Sequence, residues 1–161
     1  MSTTIDRLDR RILEELQEDA SISATALGEK VGLSQTACWR RVQRLEEEGV
    51  IRKRVALVDA KAVGCETIIL AHVKLNAHGR SDLDGFAERI RRIPNVLECF
   101  VVLGEHDFFL KIAVKDIFAY EKLFFEKLSS LSGVAEVRSS VALSQIKNDT
   151  ALPILETTAL A

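Results

Sequence analysis

No sign of charge dominates this sequence: 22 Lys and Arg stand against 24 Asp and Glu, a formal net charge of -2 with a pI of about 6.0. A global field that would draw in DNA is therefore absent, and any nucleic-acid site must be a local patch offset elsewhere. Cysteine is scarce as well. Cys38, Cys65 and Cys99 are odd in number and none belongs to a C-x-x-C pair, which argues against a disulfide framework and a zinc knuckle. Free, buried thiols in a reducing cytosol are the expectation. The opening MSTTIDRLDRR lacks the apolar core of a secretory signal. No run reaches the ~18 apolar residues that span a bilayer. A soluble cytoplasmic protein with no membrane partner is expected. His72, His78 and His106 are widely separated, and none has a Cys or His at ligand spacing. No nucleophile triad or catalytic carboxylate pair stands out, so neither a metal, a cofactor nor an enzyme is expected.

What is present is apolar material, 47% of the chain, enough for one domain or two small ones. Its periodicity changes along the chain. Leu8, Ile12, Leu13 and Leu16 form a one-sided helical stripe. Ser23 can cap a short helix, ATALGEKV, that stops at Gly32, and Ser34 can cap a longer one that ends at Gly49. Beyond it VIRKRVALVD alternates and is rich in Val and Ile, as a strand should be. DAKAVGCE reads as a linker. Further on, TIILAHVKL, NVLECFVVLG, DFFLKIAVK and VAEVRSSVALSQI read as strands, with SDLDGFAERIRRI and DIFAYEKLFFEKLSSL as helices, the second capped by Asp116. The order β-α-β-β-α-β is the ferredoxin-like plan. IPNVLE and LSGVAE echo each other where a helix turns into a strand, as two tandem βαβ units would. An α+β protein is expected: a helical domain over 1–58, a linker over 59–67, and a sheet domain over 68–161. Beyond Ile154 no pattern remains, and a loose end is expected there.

At 100° per residue, Cys38, Val42, Leu45 and Gly49 line one face of the third helix, with Trp39 on its edge. Thr36, Arg40, Gln43 and Arg44 fall opposite. Arginine can donate two hydrogen bonds to guanine, and glutamine pairs similarly with adenine. A helix N-terminus, here Ser34, Gln35 and Thr36, offers N–H groups and a positive dipole end to phosphate. Two short helices joined by a tight turn, the second exposed, have helix-turn-helix geometry. From Lys30 to Arg54, seven bases (Lys30, Arg40, Arg41, Arg44, Arg52, Lys53, Arg54) face three acids (Glu46, Glu47, Glu48), a local net of +4. The candidate DNA surface is therefore Ser34, Gln35, Thr36, Trp39, Arg40, Arg41, Gln43, Arg44, Arg52, Lys53 and Arg54. The plainer alternative is a solvated face on which Arg41 and Arg44 pair with Glu48.

Several spaced motifs then coincide: Leu8-Asp9, Ile12-Leu13, Leu16, the Leu27 helix, VGLS, Arg41-Val42, Leu45-Glu46 and GVI, followed by VLGEHDFFLKIAV and SLSGVAEVRSSVALSQIK. Over roughly residues 6–153 the chain resembles the Lrp/AsnC (feast/famine) transcription regulators, with a winged helix-turn-helix and a ligand-sensing RAM domain. The resemblance implies double-stranded DNA as partner, a small-molecule effector, often an amino acid, and a homodimer assembling into an octamer. Physics agrees with a dimer, because a βαββαβ sheet has helices on one face only. Phe108, Leu110, Ile112 and Val114 would face those helices, leaving Phe109 and Ala113 for a second sheet.

The hairpin corner LGEHD, read alone, is a turn with Gly104 at positive φ. The resemblance instead implies an effector pocket between dimers, lined by Gly104, Glu105, Asp107, Ile117, Ser140, Val141 and Ala142. There a carboxylate can hold an α-ammonium and backbone N–H groups a carboxylate. His106 would add a pH-sensitive contact or face water. Leu103 departs from the family's usual Ser or Thr. Two rival functions share this architecture: a siroheme decarboxylase-like subunit and an architectural DNA binder that senses nothing.

Overall fold

A computed structural model describes residues 5–76 and 80–155. His78 and the expected loose end beyond residue 155 lie outside the described residues. The chain divides into two compact units.

The first unit holds three helices, α1 (Arg7–Glu18), α2 (Ala24–Val31) and α3 (Gln35–Glu47). Each begins on a side-chain cap. Asp6, Ser23 and Ser34 accept hydrogen bonds from Asp9, Ala26 and Ala37 N–H groups, occupying donors that a helix start leaves unpaired. Ile12, Leu13, Leu27, Val31, Cys38, Val42 and Leu45 form the common core. The turn between α2 and α3 is tight enough to need glycine inside α2: a Cβ on Gly28 would lie 2.7 Å from the Leu33 carbonyl oxygen. Arg11 of α1 donates to the Val31 and Lys30 carbonyls (3.3 and 2.7 Å), capping the end of α2 from its neighbour.

Two differences from expectation concern this unit. The strand expected over 50–59 is absent. Residues 52–58 are exposed and in no described ladder, with Val55, Leu57 and Val58 58–71% accessible, so the described residues form no wing. An alternating apolar pattern makes a strand only where another strand completes the hydrogen bonds. The C-terminal segment was expected to belong to the sheet domain, yet residues 147–155 cluster with the helices. Gln17 Nε2 donates to the Leu152 carbonyl (3.0 Å), and Leu152 N–H returns a bond to Gln17 Oε1 (2.7 Å). Ile154 packs on the helical core, as do Ile5, Leu16 and Ile22.

The second unit, Val58–Ile146, contains β1 (Thr67–Leu75), α4 (Arg80–Ile90), β2 (Val96–Val101), β3 (Phe108–Val114), α5 (Ile117–Leu123) and β4 (Val134–Ala142). The strands are antiparallel in the order β2-β3-β1-β4. This is the ferredoxin-like sheet expected from the element order. Ile69, Ala71, Val73 and Leu75 of β1 and Phe108, Leu110, Ile112 and Val114 of β3 are buried against Phe86 and Ile90 of α4 and Leu123 and Leu128. The opposite face carries Ile68, Leu70, His72, Phe109, Lys111 and Ala113, the period-2 alternation of a sheet with helices on one side. α5 was expected to run unbroken to Leu131. Its regular turns stop at Leu123, and Phe124–Leu128 form a π turn in which Ser129 N–H reaches the Phe124 carbonyl at 2.8 Å.

Cys38 is buried, but Cys65 is only partly covered and Cys99 is exposed, so burial holds for one of the three thiols.

Candidate DNA-binding face and effector site

α3 presents its chemistry because its apolar residues are spent inward. Cys38, Val42 and Leu45 are at most 2% exposed, and the same periodicity turns Gln35, Thr36, Arg40 and Gln43 to solvent. Trp39, on the flank, is 44% exposed. Ser34 is committed to the helix as its cap, at 3.3 Å from Ala37 N.

Arg41 and Arg44 behave differently. Both reach back to α1, where Asp9 is 0% exposed. Arg44 Nη2 lies 2.5 Å from Asp9 Oδ2. Arg41 Nη1 lies 2.8 Å from Asp9 Oδ1 and 2.6 Å from Asp6 Oδ2. Asp9 also accepts the Asp6 N–H (3.0 Å), while Asp6 accepts the Asp9 N–H (2.8 Å), a reciprocal capping box. The Asp6 carboxyl is pulled upward by burial, yet the Asp9 N–H and the Arg41 guanidinium together hold it below the usual range. Hydrogen bonds to Asp6, then Asp9, raise Arg41, and the bond to Asp9 raises Arg44. The alternative pairing of both arginines with Glu48 is replaced by this clamp. Sequence showed Asp9 only as the start of a helix; nothing local announces a carboxylate buried by residues 32 and 35 positions away.

The local surplus of positive charge is therefore smaller than it reads. Lys30 pairs with Glu15, Arg54 with Glu46 at 2.9 Å, and Arg41 and Arg44 with the α1 aspartates. Among the described residues, Arg40, Arg52 and Lys53 are the cations of the patch without an ion pair.

The expected effector residues fall into two groups. The corner, 102–107, is fastened to β1. Asp107 N–H donates to the Val73 carbonyl (2.9 Å), and Asp107 Oδ2 accepts the Leu75 N–H (2.7 Å), where β1 bulges. Gly104 adopts φ +155° and Leu103 is fully exposed. Glu105 lies 3.3 Å from Arg138, which also binds Glu136 at 2.5 Å. The histidines expected to be remote are partly brought together: His72 and His106 ring centroids are 5.3 Å apart, and the buried His106 Nε2 makes no hydrogen bond to any described group. β1 register explains it, since His72 pairs with Phe109, just past the corner.

The second group lies at the other end of the sheet. Ala142 pairs with Ile68, Val141 with Ile69 and Ser140 with Leu70, while Ile117 opens α5 after β3 ends against Thr67. From Ile68 to Val73 is five residues, roughly 17 Å along a strand. One chain thus does not gather Gly104–Asp107 with Ile117 and Ala142. Beside Ile117 an open cleft of about 530 Å³ is lined by Phe118, Tyr120, Glu121, Phe124, Phe125, Val137 and Ser139, with the Tyr120 hydroxyl hydrogen-bonded to Ser139. Of the residues around this cleft only Ile117 was an expected effector position; the crowding of phenylalanines in DIFAYEKLFFEKL was the available signal.

A helix-turn-helix unit followed by a βαββαβ unit is the two-part plan of a ligand-responsive transcription regulator. The AsnC-type helix-turn-helix domain model matches residues 5–46, and the Lrp/AsnC ligand binding domain model matches residues 68–152. Transcriptional regulator AzlB of Bacillus subtilis is 38% identical over 156 residues, 97% of this chain and 99% of that protein. The crystal structure of an AsnC family transcriptional regulator from Agrobacterium tumefaciens superposes with a TM-score of 0.87 at 40% identity, covering 92% of this chain and 96% of that one. A Neisseria meningitidis transcriptional regulator in complex with L-Met gives a TM-score of 0.87 at 33% identity, covering 93% and 97%. The chain belongs to the Lrp/AsnC family of transcriptional regulators.

Proposed function

We propose that this regulator reads duplex DNA with Gln35, Thr36, Arg40 and Gln43 of α3, and that Arg52 and Lys53 hold the phosphate backbone beside it. The observation that carries this is the segregation of charge: Arg40, Arg52 and Lys53 stay unpaired while the neighbouring cations are matched to carboxylates. Trp39 packs between the core edge and the DNA, and the Ser34 end of the helix meets a phosphate. Arg54, tied to Glu46, contributes less. Replacing Arg40 or Gln43 by Ala relaxes sequence preference by ~1–3 kcal/mol per base contact. Unchanged specificity in both variants refutes the assignment.

The effector is an amino acid, as in the L-Met complex of the Neisseria meningitidis relative. It binds between copies, because Gly104–Asp107 and Ile117, Ser140, Val141 and Ala142 lie at opposite ends of one sheet. The uncovered sheet face supports a homodimer, and a site split between copies supports assembly of dimers into an octamer. In this reading the protein is cytoplasmic, has no membrane partner and catalyses nothing. No described helix is long and apolar enough to cross a membrane. A thermal-shift screen over the amino acids tests the sensor: a ligand at a hundred times its Kd stabilises by ~2.7 kcal/mol. Absence of any shift favours an architectural DNA binder, and a purified protein carrying a coloured tetrapyrrole overturns the reading in favour of the decarboxylase-like rival.

A further inference from the structure

We infer that Asp9 is a positioning residue for DNA reading: it holds Arg41 and Arg44 against α1, away from the phosphates, and so keeps α3 bound by its base-reading face. The inference rests on the reading that α3 faces DNA. Two arginines within a helix that lies in a groove are ordinarily the strongest non-specific contacts available, because each neutralised phosphate releases counterions whatever the sequence. Here both are withdrawn. Asp9 is 0% exposed, with one carboxylate oxygen on each guanidinium, at 2.8 Å for Arg41 and 2.5 Å for Arg44. A buried carboxylate keeps its charge matched only while a cation stays on it, so the two guanidiniums cannot both leave. The same carboxylate closes the α1 capping box through the Asp6 N–H, and Asp6 adds a second contact to Arg41. The clamp therefore fixes α3 on the first turn of α1, a rigid element, and removes up to two sequence-blind contacts per chain.

The consequence is unusual for a substitution in a DNA-binding domain: loosening the clamp raises non-specific affinity while lowering discrimination. Asp9→Asn keeps the side-chain shape and one acceptor but cancels the buried charge, which frees Arg44 and leaves Arg41 on Asp6 alone. The test uses the full chain, a duplex recovered by selection from a random pool, and a scrambled duplex of equal length, titrated over a salt series. For Asp9→Asn the dependence of log K on log salt steepens by up to about 0.9 per released arginine. The ratio of selected to scrambled affinity falls at least about fivefold, the lower end of one lost base contact.

A purely stabilising role lowers the folded fraction but leaves the slope of the folded protein unchanged. Because Asp9→Asn can also weaken folding, the triple variant Asp9→Asn, Arg41→Gln, Arg44→Gln serves as the second arm; it removes the buried charges together and strands none. Its slope matches the parent. A triple-variant slope shallower by one or two contacts places Arg41 and Arg44 on phosphate in the parent and overturns the inference, as does an unchanged slope and ratio in Asp9→Asn. Failure of the underlying reading looks different: Arg40→Ala and Gln43→Ala then leave the selected-to-scrambled ratio intact.

Discussion

Asp107 was expected to hold a ligand, yet its carboxylate already has a structural task, and the two roles can be separated by removing it. In Asp107→Ala the Leu75 N–H loses its acceptor at the β1 bulge, 2.7 Å away in the parent. Leu75 is 3% exposed, so water cannot easily replace the carboxylate. A buried N–H left without a partner costs about 1–3 kcal/mol, and the acceptor lost here is charged, so ~2 kcal/mol is the working figure. The backbone bonds of Asp107 to Val73 and Val102 survive the substitution and limit the damage to the corner. For a unit the size of Val58–Ile146, ~2 kcal/mol lowers Tm by roughly 8–16 °C. Asp107→Asn keeps an amide oxygen for Leu75 and loses the charge assistance of that bond, about half of that effect. Thermal unfolding followed by circular dichroism, at one protein concentration and without ligand, checks both. An Ala variant melting within about a degree of the parent refutes the reasoning, because the bond would then contribute nothing net. If Asp107 also binds an α-ammonium, amino-acid-induced shifts vanish in the Asn variant although its fold persists.

Four further outcomes are expected. Gly28→Ala destabilises the helical unit by about 1–3 kcal/mol in denaturant titration, since its Cβ would meet the Leu33 carbonyl at 2.7 Å, and backbone on both sides cannot give way. Arg52→Ala and Lys53→Ala each reduce the salt slope of DNA binding by ~0.9, whereas Arg54→Ala, whose guanidinium is held by Glu46, reduces it less. In the folded protein a thiol reagent modifies exposed Cys99, and buried Cys38 reacts only after unfolding. Burial pushes the Cys38 thiol above its ordinary 9.0. Its contribution to stability is therefore complete below that ordinary value and is lost as pH climbs through the raised folded value; Cys38→Ala flattens this alkaline decline in the denaturant midpoint.

The parts of the fold that are written locally were readable in advance. β1 occupies Thr67–Leu75, the TIILAHVKL run, because period-2 alternation between a helix-covered and an open face leaves a direct trace in residue type. Ser23, Ser34 and Asp116 cap the helices that they precede, since a cap is a bond across three residues. Features set by distant partners were not readable. Asp9 looks like any acidic residue in a first turn until α3 closes over it. Arg41 and Arg44 count as free charge until their carboxylates are known. Residues 52–58 carry a strand pattern without a partner in the described chain to complete it. The proximity of His72 and His106 depends on strand register, which residue spacing does not record.

The return of the C-terminal segment to α1 has a consequence for biosynthesis. A domain that precedes another in a chain ordinarily finishes folding while the ribosome is still translating the later one. Here Leu152 and Ile154, which complete the contacts of Gln17 and the helical core, are among the later residues made. The three helices emerge before the sheet unit but wait, with that part of their core uncovered, until the whole sheet unit has been synthesised. A stalled or truncated chain ending before Lys147 thus carries a DNA-reading unit that lacks its last contacts.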